Sequence, residues 1–287
     1  MQDILPVQQR QRRGMAAQTA VPHERGAAEA GLAPVRRPVR SGQWFGLPVA
    51  LLLLLAGWQA LVMMGGYAPF ILPGPALVLE RLIAAAGSGL LWVHVAATLT
   101  EALGGFALAL LVALFMGYLL AHTPWLERAV APLLAASQAV PVLAVAPLIV
   151  LWFGTGLPSK LLIAALITFF PILINCIVAL RGIPRELREM ALISGASRRQ
   201  MLRFVEIPLA LPVLFGGVRT GLALATTGAV VGEFVAGRYG LGALINIARG
   251  LFDTPLIFVA LIMLAGITLL LYLLVSLLER LLVQWEA

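Results

Sequence analysis

The chain has 287 residues, of which 61% are hydrophobic and only 11% charged, with a net charge of +7. So little charge cannot cover the surface of a soluble domain, so the composition selects an integral membrane protein and excludes a soluble one. In that class a basic balance fits cytoplasmic flanks held against anionic lipid, and nucleic acid is not implied.

Residues 1–43 carry Arg10, Arg12, Arg13, Arg25, Arg36, Arg37 and Arg40 among scattered Gln, Pro, Gly and Ala. They show neither helical nor strand period and read as a disordered basic cytoplasmic tail, separate from a membrane domain over 44–287. The tail is too long for a signal-peptide n-region, no cleavage site follows the first apolar run, and Met15 is an alternative start. A membrane span needs about 20 apolar residues. Six stretches meet that length: 44–64, 95–121, 129–153, 160–180, 208–232 and 254–279. The segment 66–94 is too polar and broken to span; its LPGP sequence (Leu72 to Pro75) and the amphipathic stretch from Leu77 to Ala85 predict a short surface helix. Pro141 and Pro147 interrupt the third span and Pro171 the fourth. Each proline removes a backbone donor, and neighbouring helices or a cavity must satisfy the freed carbonyl. Three in two adjacent spans favour a translocation path or gate over ordinary packing irregularity. Cys176, the single cysteine, cannot form an internal disulfide and reads as a small packing residue.

Six spans place both ends on one side, and the basic residues decide which. With the tail in the cytoplasm, the inside segments 1–43, 122–128, 181–207 and 280–287 hold fifteen of the 20 basic residues. The others are Arg81, Lys160, Arg219, Arg238 and Arg249. The asymmetry predicts an N-in, C-in all-α membrane protein.

The largest cytoplasmic connection, 181–212, reads RGIPRELREMALISGASRRQMLRFVEIPLALP. Pro184 suits a first helical turn. Leu187, Met190, Ala191 and Ser194 follow at helical spacing, with Arg185, Arg188 and Glu189 off that stripe or at its edge. Gly195 ends the helix, Ala196 and Ser197 keep the turn compact, a second short helix runs from about Arg198 to Phe204, and Pro208 and Pro212 mark the return to the membrane. Charge alone would make this a lipid-anchoring surface helix.

Ionisable residues inside spans are costly and default to functional candidates. Glu101 and Arg219 qualify, with Glu233 at an outer end. They form a structural Glu–Arg pair, or Arg219 lends positive potential to an anionic solute. Ser137, Gln138, Asn175, Thr226 and Thr227 offer hydrogen bonds along a path, although each alone is more often a helix–helix contact. Arg238 and Arg249 lie in the outer connection. No catalytic centre is evident. The only lysine, Lys160, stands between Ser159 and Leu161, outside any phosphate-binding Gly-x-x-x-x-Gly-Lys-Ser/Thr loop. His23, His94 and His122 pair with no nucleophile or metal cluster.

At the 181–212 segment a resemblance becomes specific. Glu189, Met190 and Ala191, then Gly195 after three intervening residues, then Val205, Ile207 and Pro208 resemble the E-A-A…G…I-x-L-P loop of ABC importer permeases, departing mainly at Met190. LPGPALVLERL, LWVHVAATLTEALGGFALAL, APLLAASQAVPVLAVAPLIVLWFGTG, SKLLIAALITFFPILINCIVAL and GEFVAGRYGLGALI resemble recurring segments of the nitrate/sulfonate/taurine/bicarbonate permeases. The resemblance spans roughly 44–280 and leaves the tail uncovered.

It implies a type I ABC importer transmembrane domain of about six helices in a bacterial inner membrane. It implies two permease copies forming the pathway, two ATPase subunits beneath and a periplasmic or lipid-anchored solute-binding protein. ATP and Mg would sit on the ATPase, and this chain would bind no cofactor. Glu189, Met190, Ala191, Gly195, Ala196, Ser197 and Pro208 would form the ATPase-coupling region. Gln138, Asn175, Arg219, Thr226, Thr227 and Glu233 would line the path. The implied solute is a small anion, an organic sulfonate first, with nitrate or bicarbonate beside it. The alternatives are a heterocyclic nutrient of pyrimidine or flavin type, and, outside the family, an ion-coupled secondary transporter, for which no inverted repeat is visible.

Overall fold

The computed structural model describes the backbone of residues 43–283; the expected tail, save its last residue, lies outside the described residues. The helices are α1 (Gln43–Gly65), α2 (Pro75–Gly87), α3 (Leu90–His122), α4 (Pro124–Gln138), α5 (Val142–Phe153), α6 (Leu157–Arg181), α7 (Arg185–Ile193), α8 (Arg198–Met201), α9 (Ile207–Ala236), α10 (Leu241–Gly250) and α11 (Thr254–Leu282), with a π-helical turn over Leu202–Glu206. Among the described residues, five helices are long and apolar enough to cross a membrane. A sixth span arises if α4 and α5 are one crossing, and these two meet at a 93° bend.

That bend corrects the expected continuous span 129–153. Pro141 cannot donate to the preceding turn and biases Val140 away from helical geometry. The chain therefore leaves the helix after Gln138, and Pro141 restarts it from an extended conformation, φ −65° and ψ 117°. Pro147, Pro171 and Pro212 sit inside α5, α6 and α9 without ending them. The surface helix expected at 77–85 is α2, begun by Pro75.

The chain divides into two units, 1–52 and 53–287. The centre of the second is α3, α6 and α9. Hydrogen bonds fix their directions: Thr98 of α3 bonds Glu233 of α9, and Lys160 of α6 bonds Glu101 of α3, at one end. His122 of α3 reaches Glu206, just before α9, at the other. So α3 and α6 run parallel and α9 returns between the two ends. Association inside a membrane rests on close packing by small residues rather than on a hydrophobic drive. Gly228 of α9 shows how close: a Cβ there would stand 2.6 Å from the Ala164 Cα of α6. A Gly228→Val variant is therefore expected to lower detergent thermal stability by an overpacking cost of about 1–3 kcal/mol. Gly266→Ala, which meets open space, should leave the melting temperature unchanged or raised in the same assay. On α1, Leu52, Leu53 and Leu54 stay about two-thirds exposed (66%, 68% and 66%), as a lipid-facing span requires.

Candidate functional site

The loop between α6 and α9 is built from local signals. Pro184 stands just before α7 rather than inside its first turn. The helix ends in a Schellman motif: Gly195 takes φ +79°, its N–H donates to the Leu192 carbonyl, and the Ala196 N–H to the Ala191 carbonyl. Ser197 then opens α8 with a capping box, accepting from the Gln200 N–H while Gln200 Oε1 accepts from the Ser197 N–H at 2.8 Å. Pro208 has no N–H for the Phe204 carbonyl, and the ladder widens just before it, Ile207 reaching back five residues to Leu202. The chain is thus helical from Arg198 through Pro208, where a fresh start at Pro208 was expected.

Every residue of α7 except Arg188 and Ala191 is exposed. Met190, Leu192 and Ile193 are 64%, 62% and 87% exposed, so α7 presents an apolar tip with Glu189 beside it. Arg188 turns the other way. Its Nη2 donates to the Leu180 carbonyl at 2.6 Å and lies 3.6 Å from Glu206 Oε1. Glu206 is 3% exposed and also meets His122 Nε2 at 2.9 Å. Arg181 pairs with Glu127 across the start of α4.

The opposite end holds a second polar cluster. Lys160 Nζ lies 2.6 Å from Glu101 Oε1, both side chains under a tenth exposed. Glu233 Oε1 accepts from Thr98 Oγ1 at 2.7 Å and Oε2 from the Gly242 N–H at 2.6 Å. Thr98 Oγ1 in turn accepts from the Leu241 N–H, and His94 Nδ1 sits 2.7 Å from the Gly240 carbonyl oxygen. Four elements, α3, α6, α9 and α10, are tied together by these bonds. Gly240, at φ +116°, lies so close to the Glu233 carboxylate that any side chain would strike it. A cleft of about 420 Å³ opens beside the cluster, lined by Thr100, Glu101, Lys160, Arg238 and Tyr239 among others.

Most of the residues expected along a path have partners of their own within the subunit. Arg219 pairs with Glu279 of α11 at 3.1 Å and lies over the Tyr272 ring. The expected Glu–Arg pairing thus takes different partners: Glu279 holds Arg219, and Glu101 is held by Lys160. Thr226 is buried against Thr268 of α11 at 2.9 Å. Glu233 is 1% exposed, its carboxylate taken up by Thr98 and the Gly242 N–H. Asn175 is half-buried and donates to the Pro171 carbonyl. Ser137 donates to the Leu134 carbonyl, and Gln138 and Thr227 are exposed.

Lys160, Glu206 and His122 were absent from the expected sites, and nothing in local spacing marks them; their partners lie 59 or 84 residues away. The Ser197 capping box was readable as S-x-x-Q and was missed. Among the described residues no group of three His, Cys, Asp or Glu is placed to hold a metal.

Comparison with known proteins agrees with this architecture. The family described as "Binding-protein-dependent transport system inner membrane component" matches residues 109–286. A riboflavin transport system permease protein of Chloroflexus aurantiacus is 71% identical over 258 residues, 89% of this chain and 96% of the relative. A formylaminopyrimidine transport permease protein of Halalkalibacterium halodurans is 35% identical over 82% of this chain and 93% of its own length. The taurine transport system permease protein of Escherichia coli is 32% identical over 82% and 88%. Among solved structures, the inward-facing MetNI methionine ABC transporter aligns with a TM-score of 0.56 at 21% identity, covering 67% of this chain and 93% of that one.

Proposed function

We propose that this chain, which belongs to the family of binding-protein-dependent transport system inner membrane components, carries a flavin, riboflavin in the first place. Membership makes it a multi-pass inner membrane permease of an ABC importer and not itself an ATPase. The binding-protein-dependent system implies an ATPase and a solute-binding protein as partners.

The observation that carries the flavin reading is 71% identity to a riboflavin permease over nearly the whole chain. It displaces the sulfonate expectation, since the taurine permease stands at 32%. The electrostatics point the same way. Both basic residues inside the spans, Lys160 and Arg219, already face carboxylates, Glu101 and Glu279. Neither is left as a free positive charge for an anion, and a largely uncharged heterocycle asks for none. Two copies of the chain form the pathway, with the exposed Gln138 and Thr227 as its polar lining. The end bearing α7 faces the cytoplasm, where Glu189, Met190, Ala191, Gly195, Ala196 and Ser197 form the docking knob for the ATPase and Pro208 lies in the first turn of α9, the helix it moves.

The test is uptake by proteoliposomes containing the permease, its ATPase and its binding protein. Labelled riboflavin should accumulate with ATP, and a hundredfold excess of taurine should not compete. Saturable taurine or alkanesulfonate uptake without riboflavin uptake would restore the anion reading.

A further inference from the structure

The way α7 is attached to the rest of the subunit is unusual for an element that must transmit force. It buries none of its side chains, and its main backbone neighbours are α8 and the π-helical turn. Leaving aside its flanking chain, Arg188 is the one long side chain of α7 that turns inward. Its Nη2 holds the Leu180 carbonyl, at the end of α6. Its other neighbour is Glu206, in the widened turn that leads into α9, and Glu206 in turn bonds His122, the last residue of α3. One buried carboxylate therefore stands where α3, α6, α9 and the docking helix meet.

The contact is incomplete in this conformation. Arg188 to Glu206 is 3.6 Å, while His122 to Glu206 is 2.9 Å. Arg188 Nε is buried with no hydrogen-bond partner among the described residues. A guanidinium binds a carboxylate best through two parallel N–H donors, and here that second donor is unused. A cleft of about 530 Å³ lies alongside, lined by Tyr118, His122, Arg188, Arg198, Met201 and Glu206 among others, and gives α7 room to shift. π-Helical turns inside α-helices also occur often at functional sites.

We infer that Glu206 is a positioning residue for coupled transport: it clamps Arg188 of the docking helix to His122 of α3 and to the base of α9, so that displacement of α7 moves three spans together. The clamp tightens when α7 shifts inward and Arg188 engages Glu206 through two donors. A packed interface would transmit such a shift as discrete states; α7 buries no side chain against the spans, and the clamp supplies the connection. The inference rests on the importer reading for its partners, but not on which solute is carried.

Glu206→Gln is nearly isosteric and removes the charge. In the reconstituted complex of permease, ATPase and binding protein, this variant should purify with bound ATPase at wild-type ratio and retain basal ATP hydrolysis. Its solute-stimulated hydrolysis should fall at least fivefold, and ATP consumed per riboflavin imported should rise by a similar factor. Arg188→Ala should lower uptake comparably, and Glu206→Gln/Arg188→Ala should be no worse than either single variant, because each removes the same link. A Glu206→Gln complex with a wild-type ratio of ATP to solute would overturn the clamp. So would fully additive losses, or loss of bound ATPase, which would make Glu206 a support of the loop's fold. If wild type itself imports no riboflavin, the solute assignment fails, and stimulation of hydrolysis by the loaded binding protein still decides the clamp.

Discussion

A Lys160→Met variant is expected to lose about 3–5 kcal/mol of stability, the cost of breaking a buried ion pair by removing one partner. The pair lies 2.6 Å apart, and the side chains are only 8% and 5% exposed. Removing the ammonium leaves Glu101 without its cation in a site that also holds the buried carboxylate of Glu233. The damage should spread, because Glu233 secures the Gly242 N–H and Thr98 and so holds α10 on α3 and α9. A buried pair is nevertheless weak evidence for net stability, since desolvating two charges offsets most of their attraction. The double variant Glu101→Met/Lys160→Met should therefore recover most of the loss. Arg81 and Asp253 provide the contrast: their pair is 37% and 22% exposed, and Arg81→Ala should cost no more than about 1 kcal/mol. The check is thermal unfolding of the four proteins in one detergent. A Lys160→Met protein melting with wild type would show that the pair is dispensable.

Much of this architecture was legible because it is written in local chemistry. Spans 44–64, 160–180 and 254–279 are long apolar runs, and although Pro171 lies within the second of them, the helices there differ only by a few residues at their ends. The Gly195 turn was legible for the same reason: a helix that must stop sharply uses a residue able to take positive φ. The third span was misread because apolar length was weighed above Val140–Pro141, whose steric bias bends the chain by 93°. The ion pairs were invisible for a different reason. Glu101 and Arg219 look like partners in sequence, as the ionisable residues deep in spans. The partner of each is chosen by helix packing, which brings Lys160 to Glu101 and Glu279 to Arg219. Glu233 was noticed as costly, but only the fold shows that its cost is met by Thr98 and by the backbone of α10. Solute preference is the least legible, since Arg219, the basic residue that suggested an anion, is neutralised by Glu279, a neighbour remote in sequence.

Replacing Gly195 with valine should abolish most coupled transport while leaving the chain inserted and folded. Gly195 sits at φ +79°, where a β-branched residue is a genuine outlier, and left-handed geometry costs an ordinary residue about 1–2 kcal/mol. Space within the subunit is not the obstacle, because a Cβ at Gly195 meets nothing within 4 Å. The strain acts on the turn itself. A cost of that size lowers the population of correctly turned loop by about 5–30-fold, and the Schellman bonds from Gly195 and Ala196 to α7 are lost with it. The apolar tip at Met190, Leu192 and Ile193 would then no longer be presented at a fixed angle to α8. Uptake should fall by a comparable factor, with unchanged permease yield and unchanged melting of the membrane helices. Asparagine tolerates left-handed geometry far better than valine, so Gly195→Asn separates two reasons for the glycine. If the asparagine variant restores uptake to within about twofold of wild type, the turn conformation is what matters. If asparagine is as damaging as valine, the absence of a side chain at the partner's surface is what matters, and the turn argument is wrong.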